Sequence, residues 1–94
     1  MGFDIHGVNG NYFRHTCWAW HPLWSSVSDI CDLTQEQYNK GCYNGLFEED
    51  EKFTKEESIM IYERIQEHLK NNKTELALNE FSNFCLNSGG FFIT

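Results

Sequence analysis

The residues best suited to chemistry lie close together near the start of the chain, where two histidines flank a cysteine. His15, Cys17 and His21 supply the imidazole and thiol groups that Zn²⁺ prefers, and Cys31 or Cys42 would complete a tetrahedral set. Cysteine and histidine side chains also form nucleophile–base pairs when the fold brings them within hydrogen-bond distance. A small zinc-binding protein or a cysteine enzyme is therefore one hypothesis for the function.

Several features of the sequence argue against metal binding and catalysis. The four cysteines, at positions 17, 31, 42 and 85, show no C-x-x-C spacing, and no G-x-S-x-G, H-E-x-x-H or phosphate-loop motif occurs. Pro22 follows His21 directly and disfavours the helix that would bring Cys17 and His21 onto one face. We therefore predict no catalytic residue, no metal and no cofactor, with cysteines that remain free thiols in a reducing compartment.

Aromatic side chains crowd the same region, and they suggest binding rather than catalysis. Trp, Tyr and Arg contribute most of the energy at protein interfaces, and Arg can also stack on rings or hold an anion. A structural core cluster is the alternative, and we expect Trp24 to be buried because it leads the apolar positions of the first predicted helix. The predicted contact residues from this segment are Tyr12, Arg14, Trp18, Trp20 and His21.

The chain carries a net charge of −7, and eight of its fourteen carboxylates lie between Glu48 and Glu67. Its seven Lys and Arg residues are scattered, so direct nucleic-acid binding and attachment to an anionic membrane are excluded. The acidic stretch is either a solvated helix face or a surface that imitates a nucleic-acid backbone for a basic protein partner. The contact residues that the second interpretation predicts are Glu56, Glu57, Glu63 and Glu67.

Hydrophobic spacing and capping residues predict one α+β domain over residues 1–94, mainly helical, with about three helices and a two-stranded sheet. Pro22 and the following apolar residues predict a helix to about Leu33, and a capping box at Thr34 adds a short turn of helix to Lys40. A capping box of Thr54 with Glu57 begins a second long helix, expected from Lys55 to Lys70.

The end of the chain predicts a third helix and a strand. Thr74 is the expected cap of that helix, and Gly89 and Gly90 end it. The β-prone residues 91–94 need a partner, and the alternating residues 3–6 are the obvious one. The sheet is therefore expected to join the two ends of the chain, while a charged loop covers Glu48 to Lys52.

Two segments together resemble a known family. The first is Tyr12-Phe13-Arg14 with Trp18-x-Trp20-x-Pro22-Leu23-Trp24, and the second is Phe81-x-x-Phe84-x-x-x-Ser88-Gly89-Gly90-Phe91. This combination resembles a family of small uncharacterised proteins of phages and prophages. The resemblance implies phage origin and a shared fold, and it implies no activity or catalytic residue. Longer members carry a cysteine-rich, zinc-like insert before the final segment, which this chain lacks. Where this chain has His15, Cys17 and His21, the family pattern usually shows residues that are not metal ligands, often Asn and Arg.

The functional hypotheses follow from these features together. Small acidic phage proteins without catalytic motifs commonly act by binding, which predicts an inhibitor of a host defence protein or nuclease. The alternative is a small-ligand binder that sequesters a nucleotide signal, with Trp and Tyr stacking on the base and Arg14 or Lys40 on the phosphate. A homo-oligomer would gather several Arg14 side chains at one interface. No signal peptide or membrane span is visible, so the host cytoplasm is the expected location.

Overall fold

The computed structural model describes residues 2–42, 52–71 and 75–93. Within them, helices and a small sheet form a mainly helical α+β fold, as predicted. The elements in chain order are β1 (Gly2–Gly7), β2 (Tyr12–Thr16), α1 (Cys17–Cys31), α2 (Gln35–Cys42), α3 (Lys55–Leu69), α4 (Leu76–Ser88) and β3 (Phe91–Ile93).

The sheet is antiparallel, with strand order β2-β1-β3. The predicted pairing of the two chain ends is confirmed, since β1 pairs with β3 and His6 lies opposite Phe92. The predicted number of two strands is wrong, because β2 pairs with the other edge of β1. The alternation in β2 was hidden by His15, a polar residue that lies half-buried on the inner face beside Phe13.

A tight turn over residues 8–11 joins β1 to β2 and explains the glycines at positions 7 and 10. The Gly7 amide donates to the Asn11 carbonyl at 2.6 Å, and the Gly10 amide donates to the Gly7 carbonyl at 3.0 Å. Gly10 has a φ of +97°, a backbone conformation that residues other than glycine rarely adopt. The turn therefore sets the register of the hairpin.

Helix α1 begins at Cys17, five residues before the predicted start at Pro22. Thr16 caps it by accepting a hydrogen bond from the Ala19 amide at 3.2 Å. Pro22 stands inside the helix and leaves the Trp18 carbonyl without its usual donor. Both residues lie on the exposed side of the helix, where water can replace that bond, so the burial of the opposite face carries the helix through the proline.

Both predicted capping boxes are present. Thr34 accepts from the Gln37 amide at 3.1 Å while Gln37 accepts from the Thr34 amide at 3.0 Å. Thr54 and Glu57 make the same reciprocal pair at the start of α3. The box at Thr34 starts a full helix, α2, rather than a single turn, which gives four helices among the described residues instead of about three. The predicted cap Thr74 and residues 48–51 of the predicted charged loop lie outside the described residues.

The core lies between the helices and the inner face of the sheet, and aromatic rings fill its centre. The indoles of Trp20 and Trp24 stack with centroids 5.4 Å apart, and the Phe81 ring meets Trp20 edge-on at 5.4 Å. Gly41 of α2 lies so close to the Trp24 indole that a Cβ at position 41 would overlap the ring. The other core side chains are Phe3, Ile5, Leu23, Val27, Cys31, Phe53, Ile61, Ile65, Leu69, Leu78, Phe84, Cys85, Phe91 and Ile93.

Candidate binding surface

The three tryptophans of α1 divide between the core and the surface. Trp20 and Trp24 are buried, and each indole N–H has a carbonyl acceptor: that of Gly41 at 2.8 Å for Trp20 and that of Tyr38 at 2.9 Å for Trp24. Trp18 is 87 % exposed. The expectation of one core and one exposed indole holds for Trp24 and Trp18, but Trp20 is removed from the predicted contact residues because its ring is enclosed.

A shallow groove lies between α1 and the start of α4. The groove has a volume of about 400 Å³. Its lining residues are Ala19, Pro22, Leu23, Ser26, Glu75, Leu76, Ala77 and Leu78. Trp18 precedes Pro22 by one helical turn, so the two side chains share a face. Leu76, which is 68 % exposed, was missed from the sequence because only the packing of α4 against α1 brings it into the groove that Pro22 lines.

The outer face of the sheet brings Tyr12 and Arg14 together, as predicted. The Tyr12 hydroxyl donates to Oδ1 of Asp4, and Nε of Arg14 lies 3.6 Å from the same oxygen. The hydrogen bond to the Asp4 carboxylate raises the pKa of Tyr12, since it favours the protonated phenol. The Arg14 side chain remains 65 % exposed, so most of its donors face solvent.

Further rings and a cation extend this outer face across β1 and β3. The His6 imidazole lies 5.4 Å from the Tyr12 ring and stacks on the Phe92 ring at 5.1 Å. The Lys52 amine lies over Phe92, 5.8 Å from the ring centroid. These three residues were missed because their proximity depends on the strand order. Lys40, the other predicted phosphate ligand, instead donates to the Lys52 carbonyl at 3.4 Å.

Trp18 and Tyr12 belong to two separate surfaces. Tyr12 is the first residue of β2 and Trp18 lies two residues beyond its last residue, and the strand from Tyr12 to Thr16 alone spans about 13 Å. The expectation that the exposed indole lies near Tyr12 is therefore corrected. We call the groove with Trp18 the indole surface, and the sheet face with Tyr12 and Arg14 the outer sheet face.

The histidines near Cys17 pack against rings. His15 meets Phe13 edge-on at 4.7 Å, and His21, which is exposed, meets Phe3 edge-on at 5.3 Å. Cys17 and His21 do share helix α1, contrary to the effect expected of Pro22. Among the described residues, no group of three His, Cys, Asp or Glu side chains is placed to hold a metal ion.

Two described cysteines are buried free thiols. Burial raises the pKa of Cys31 to about 11, and burial also raises the pKa of Cys85 well above its ordinary value. Both groups are therefore protonated at neutral pH, whereas the thiolate is the nucleophile in cysteine chemistry. The side chains of Cys17 and Cys42 lie outside the described part of the structure.

The predicted acidic residues of α3 divide into two roles. Glu56, Glu63 and Glu67 are exposed, and their spacing of seven and four residues places them along one stripe of the helix. We call these three residues the acidic stripe. Lys70 lies 3.4 Å from Glu67 at one end of it.

Glu57 is a capping residue rather than a surface contact. Its carboxylate accepts from the Thr54 amide at 2.9 Å and from the Gln37 side chain at 2.7 Å. Partial burial alone would raise the pKa of Glu57, but these two hydrogen bonds and the charge of Lys40 outweigh it and lower the pKa. Glu57 therefore joins α2 to the start of α3.

No family model, curated protein or solved structure matches this chain. The resemblance to phage proteins thus remains a prediction from the two motif segments. Among the described residues, no helix is both long enough and apolar enough to cross a bilayer.

Proposed function

We propose that this chain is a phage-encoded binding protein that acts without catalysis in the host cytoplasm, by occupying a host defence protein or nuclease. The observation that supports this most is the exposure of Trp18, 87 % in a chain that buries both of its other indoles. A tryptophan left in solvent forfeits the largest burial available to any side chain, and such residues are typical anchors of protein interfaces.

The indole surface is preorganised for a partner. Trp18 lies in the first turn of α1, which Thr16 caps and which the buried Trp20 and Trp24 hold against the core. A side chain on a fixed helix loses little conformational freedom on binding, so more of its contact energy contributes to affinity. The groove lined by Pro22 and Leu76 would receive an apolar side chain of the partner while the partner covers the indole.

The charge of the molecule favours a basic partner. A net charge of −7 on 94 residues accelerates association with a positively charged surface, and the acidic stripe presents three carboxylates on one rigid helix. Nucleases and other proteins that bind nucleic acid carry such basic surfaces. The net charge and the acidic stripe therefore support the proposed class of target.

A capture experiment tests this function directly. The tagged chain would be expressed in host cells, and co-purified proteins would be quantified for the wild type, Trp18→Ala and Leu86→Ala. Leu86 is 43 % exposed on α4 and lies outside the residues lining the groove, so its substitution controls for general loss of apolar surface. We expect proteins that the wild type and Leu86→Ala retain and that Trp18→Ala loses. Equal retention by all three variants would contradict the proposal.

A second candidate function is binding of a nucleotide signal, and the outer sheet face favours it. The rings of Tyr12, His6 and Phe92 lie in a row there, with the cations of Arg14 and Lys52 beside them. Rings stack on bases and cations hold phosphates, which is the chemistry such a ligand needs. Thermal-shift measurements with a panel of nucleotides would show stabilisation that Arg14→Ala abolishes. No shift with any nucleotide would exclude this candidate for the compounds tested.

A further inference from the structure

The two edges of the sheet differ in whether their main-chain groups are paired. The edge at β3 is closed by a bridge in which Phe53 and Phe91 exchange amide-to-carbonyl hydrogen bonds of 2.8 and 3.1 Å. At the opposite edge, no strand of the described residues pairs with the outer side of β2. β2 contains no proline and no bulge, which are devices that commonly protect an exposed edge.

The register identifies the main-chain groups that face outwards from β2. Gly7 bonds to Asn11, and hydrogen-bonded pairs alternate along an antiparallel ladder, so Phe13 and His15 direct their main-chain groups towards β1. The Val8 amide donates to the Gly90 carbonyl on the other side of β1, as the same alternation requires. The N–H and C=O groups of Tyr12 and Arg14 therefore point away from the sheet.

We propose that a second copy of this chain pairs antiparallel with β2, so that Tyr12 of each copy lies opposite Arg14 of the other. A two-fold axis then passes beside Phe13, and the two sheets join into one of six strands. This register matches all four outward groups of Tyr12 and Arg14 with those of the second copy, giving four main-chain hydrogen bonds. Isologous pairing of this kind closes the assembly at a dimer.

Charge supports a second copy as the occupant. β2 holds no carboxylate, and its Arg14 lies 3.6 Å from Asp4 of β1, so the edge carries little net charge although the whole chain has a charge of −7, and two copies can meet there with little repulsion. The exposed Arg14 guanidinium would lie against the second copy's Tyr12 ring, a favourable cation–π arrangement. The two copies of Phe13 would lie opposite each other at the axis as an aromatic cross-strand pair.

The neighbouring register is less favourable. Shifting the second strand by two residues would place Arg14 opposite its own copy, and like charges directly opposite destabilise a sheet. That register would also need Thr16, whose carbonyl already accepts the first hydrogen bond within α1 because Thr16 is the N-cap. Tyr12 opposite Arg14 is therefore favoured over Arg14 opposite Arg14.

Sedimentation velocity over a range of concentrations tests the dimer, with Arg14→Pro as the main variant. Proline at position 14 removes an outward N–H and no bond to β1, so the fold should persist, which circular dichroism would verify. We expect a dimer whose dissociation constant rises at least tenfold in Arg14→Pro and in Arg14→Glu, and stays unchanged in Leu86→Ala. A wild type that stays monomeric, or a dimer insensitive to both Arg14 variants, would overturn the proposal.

Disulfide trapping tests the register. In a background with Cys17→Ser and Cys42→Ser, oxidation of a mixture of Tyr12→Cys and Arg14→Cys proteins should give a covalent heterodimer. Facing residues in a hydrogen-bonded pair are about 5.5 Å apart at Cα, which suits a disulfide. Either variant alone should cross-link much less. Efficient cross-linking of Arg14→Cys with itself, or none in the mixture, would contradict the proposed register.

Discussion

At the scale of single residues, the three indoles of one helix show how similar side chains take different roles. Trp20 and Trp24 each donate to a carbonyl of α2 and stack on one another, so they join α1 to α2. Trp18, two residues before Trp20, lies on the opposite side of α1 and is left in solvent. Because a helix has 3.6 residues per turn, residues two apart in the sequence point to nearly opposite sides of it.

Alanine substitutions should separate these roles by stability. Trp20→Ala and Trp24→Ala each leave a large cavity and remove the hydrogen bond from the indole N–H, and we expect each to cost about 3 to 5 kcal/mol in the free energy of unfolding. Trp18→Ala should change that free energy by less than about 0.5 kcal/mol, because the ring is exposed. Urea denaturation of the three variants measures the difference. A loss at Trp18 as large as that at Trp20 would contradict the assignment of Trp18 to a contact surface.

Glu57 should give the protein a recognisable acid dependence. Its pKa is lowered in the folded chain from the ordinary value of 4.5, so its ionised form stabilises the fold. That contribution is fully present above the pKa of the unfolded chain and is lost as the pH falls through the lower folded value.

The variant Glu57→Gln tests this dependence. It should lower stability at neutral pH, by about 1 kcal/mol as for the loss of a helix cap, and the difference from the wild type should shrink towards acid. Urea denaturation at a series of pH values measures it, with Glu36→Gln, an exposed residue of α2, as the control. A difference from the wild type that does not vary with pH would contradict the role of the ionised carboxylate.

At the scale of elements, the acidic stripe of α3 is the part of the proposed surface most open to substitution. A triple variant of this stripe, Glu56→Lys, Glu63→Lys and Glu67→Lys, should slow association with a basic partner at least tenfold. Exposed charges at an interface act mainly on the rate at which the two proteins meet. Exposed ion pairs contribute about 0 to 1 kcal/mol each to the free energy of unfolding, so the fold should persist.

The control variant combines Asp29→Lys, Glu36→Lys and Glu80→Lys, which changes the net charge by the same amount at other exposed positions. Equal association rates for both triple variants would show that the acidic stripe is a solvated helix face and not a contact surface.

Sequence features that depend on residues close together in the chain predicted their elements correctly. The capping boxes at Thr34 and Thr54 appear as expected because each needs only residues three apart. The start of α1 was misplaced since Pro22 is typical of a first turn, and only the burial of Trp20 and Trp24 explains a helix that continues through it. β2 was missed because its pairing with β1 gives it a face that its sequence does not show.

The candidate site was predictable to a similar extent. Tyr12 and Arg14 were expected to lie together, and alternate positions on one strand make that a local inference. Trp20 was assigned to the surface because its acceptor, the Gly41 carbonyl, is 21 residues away and enters only through the packing of α2. The presence of Leu76 and Pro22 in one groove likewise depends on how two helices meet.

At the scale of the whole molecule, a single small core leaves distinct surfaces available. The indole surface lies between α1 and α4, the outer sheet face covers the other side of the sheet, and the acidic stripe runs along α3. Pairing of two copies through β2 would leave Trp18 at each end of the joined strands. A dimer would then present two indole surfaces, which raises the avidity for a dimeric target.

The central claim is that Trp18 anchors a protein partner, and calorimetric titration of the captured partner tests it most directly. We expect Trp18→Ala to weaken the dissociation constant by about 30-fold or more, the effect of losing about 2 kcal/mol at an interface anchor. Leu86→Ala should bind as the wild type does, and all three proteins should share one melting temperature. A dissociation constant for Trp18→Ala equal to that of the wild type would contradict the account.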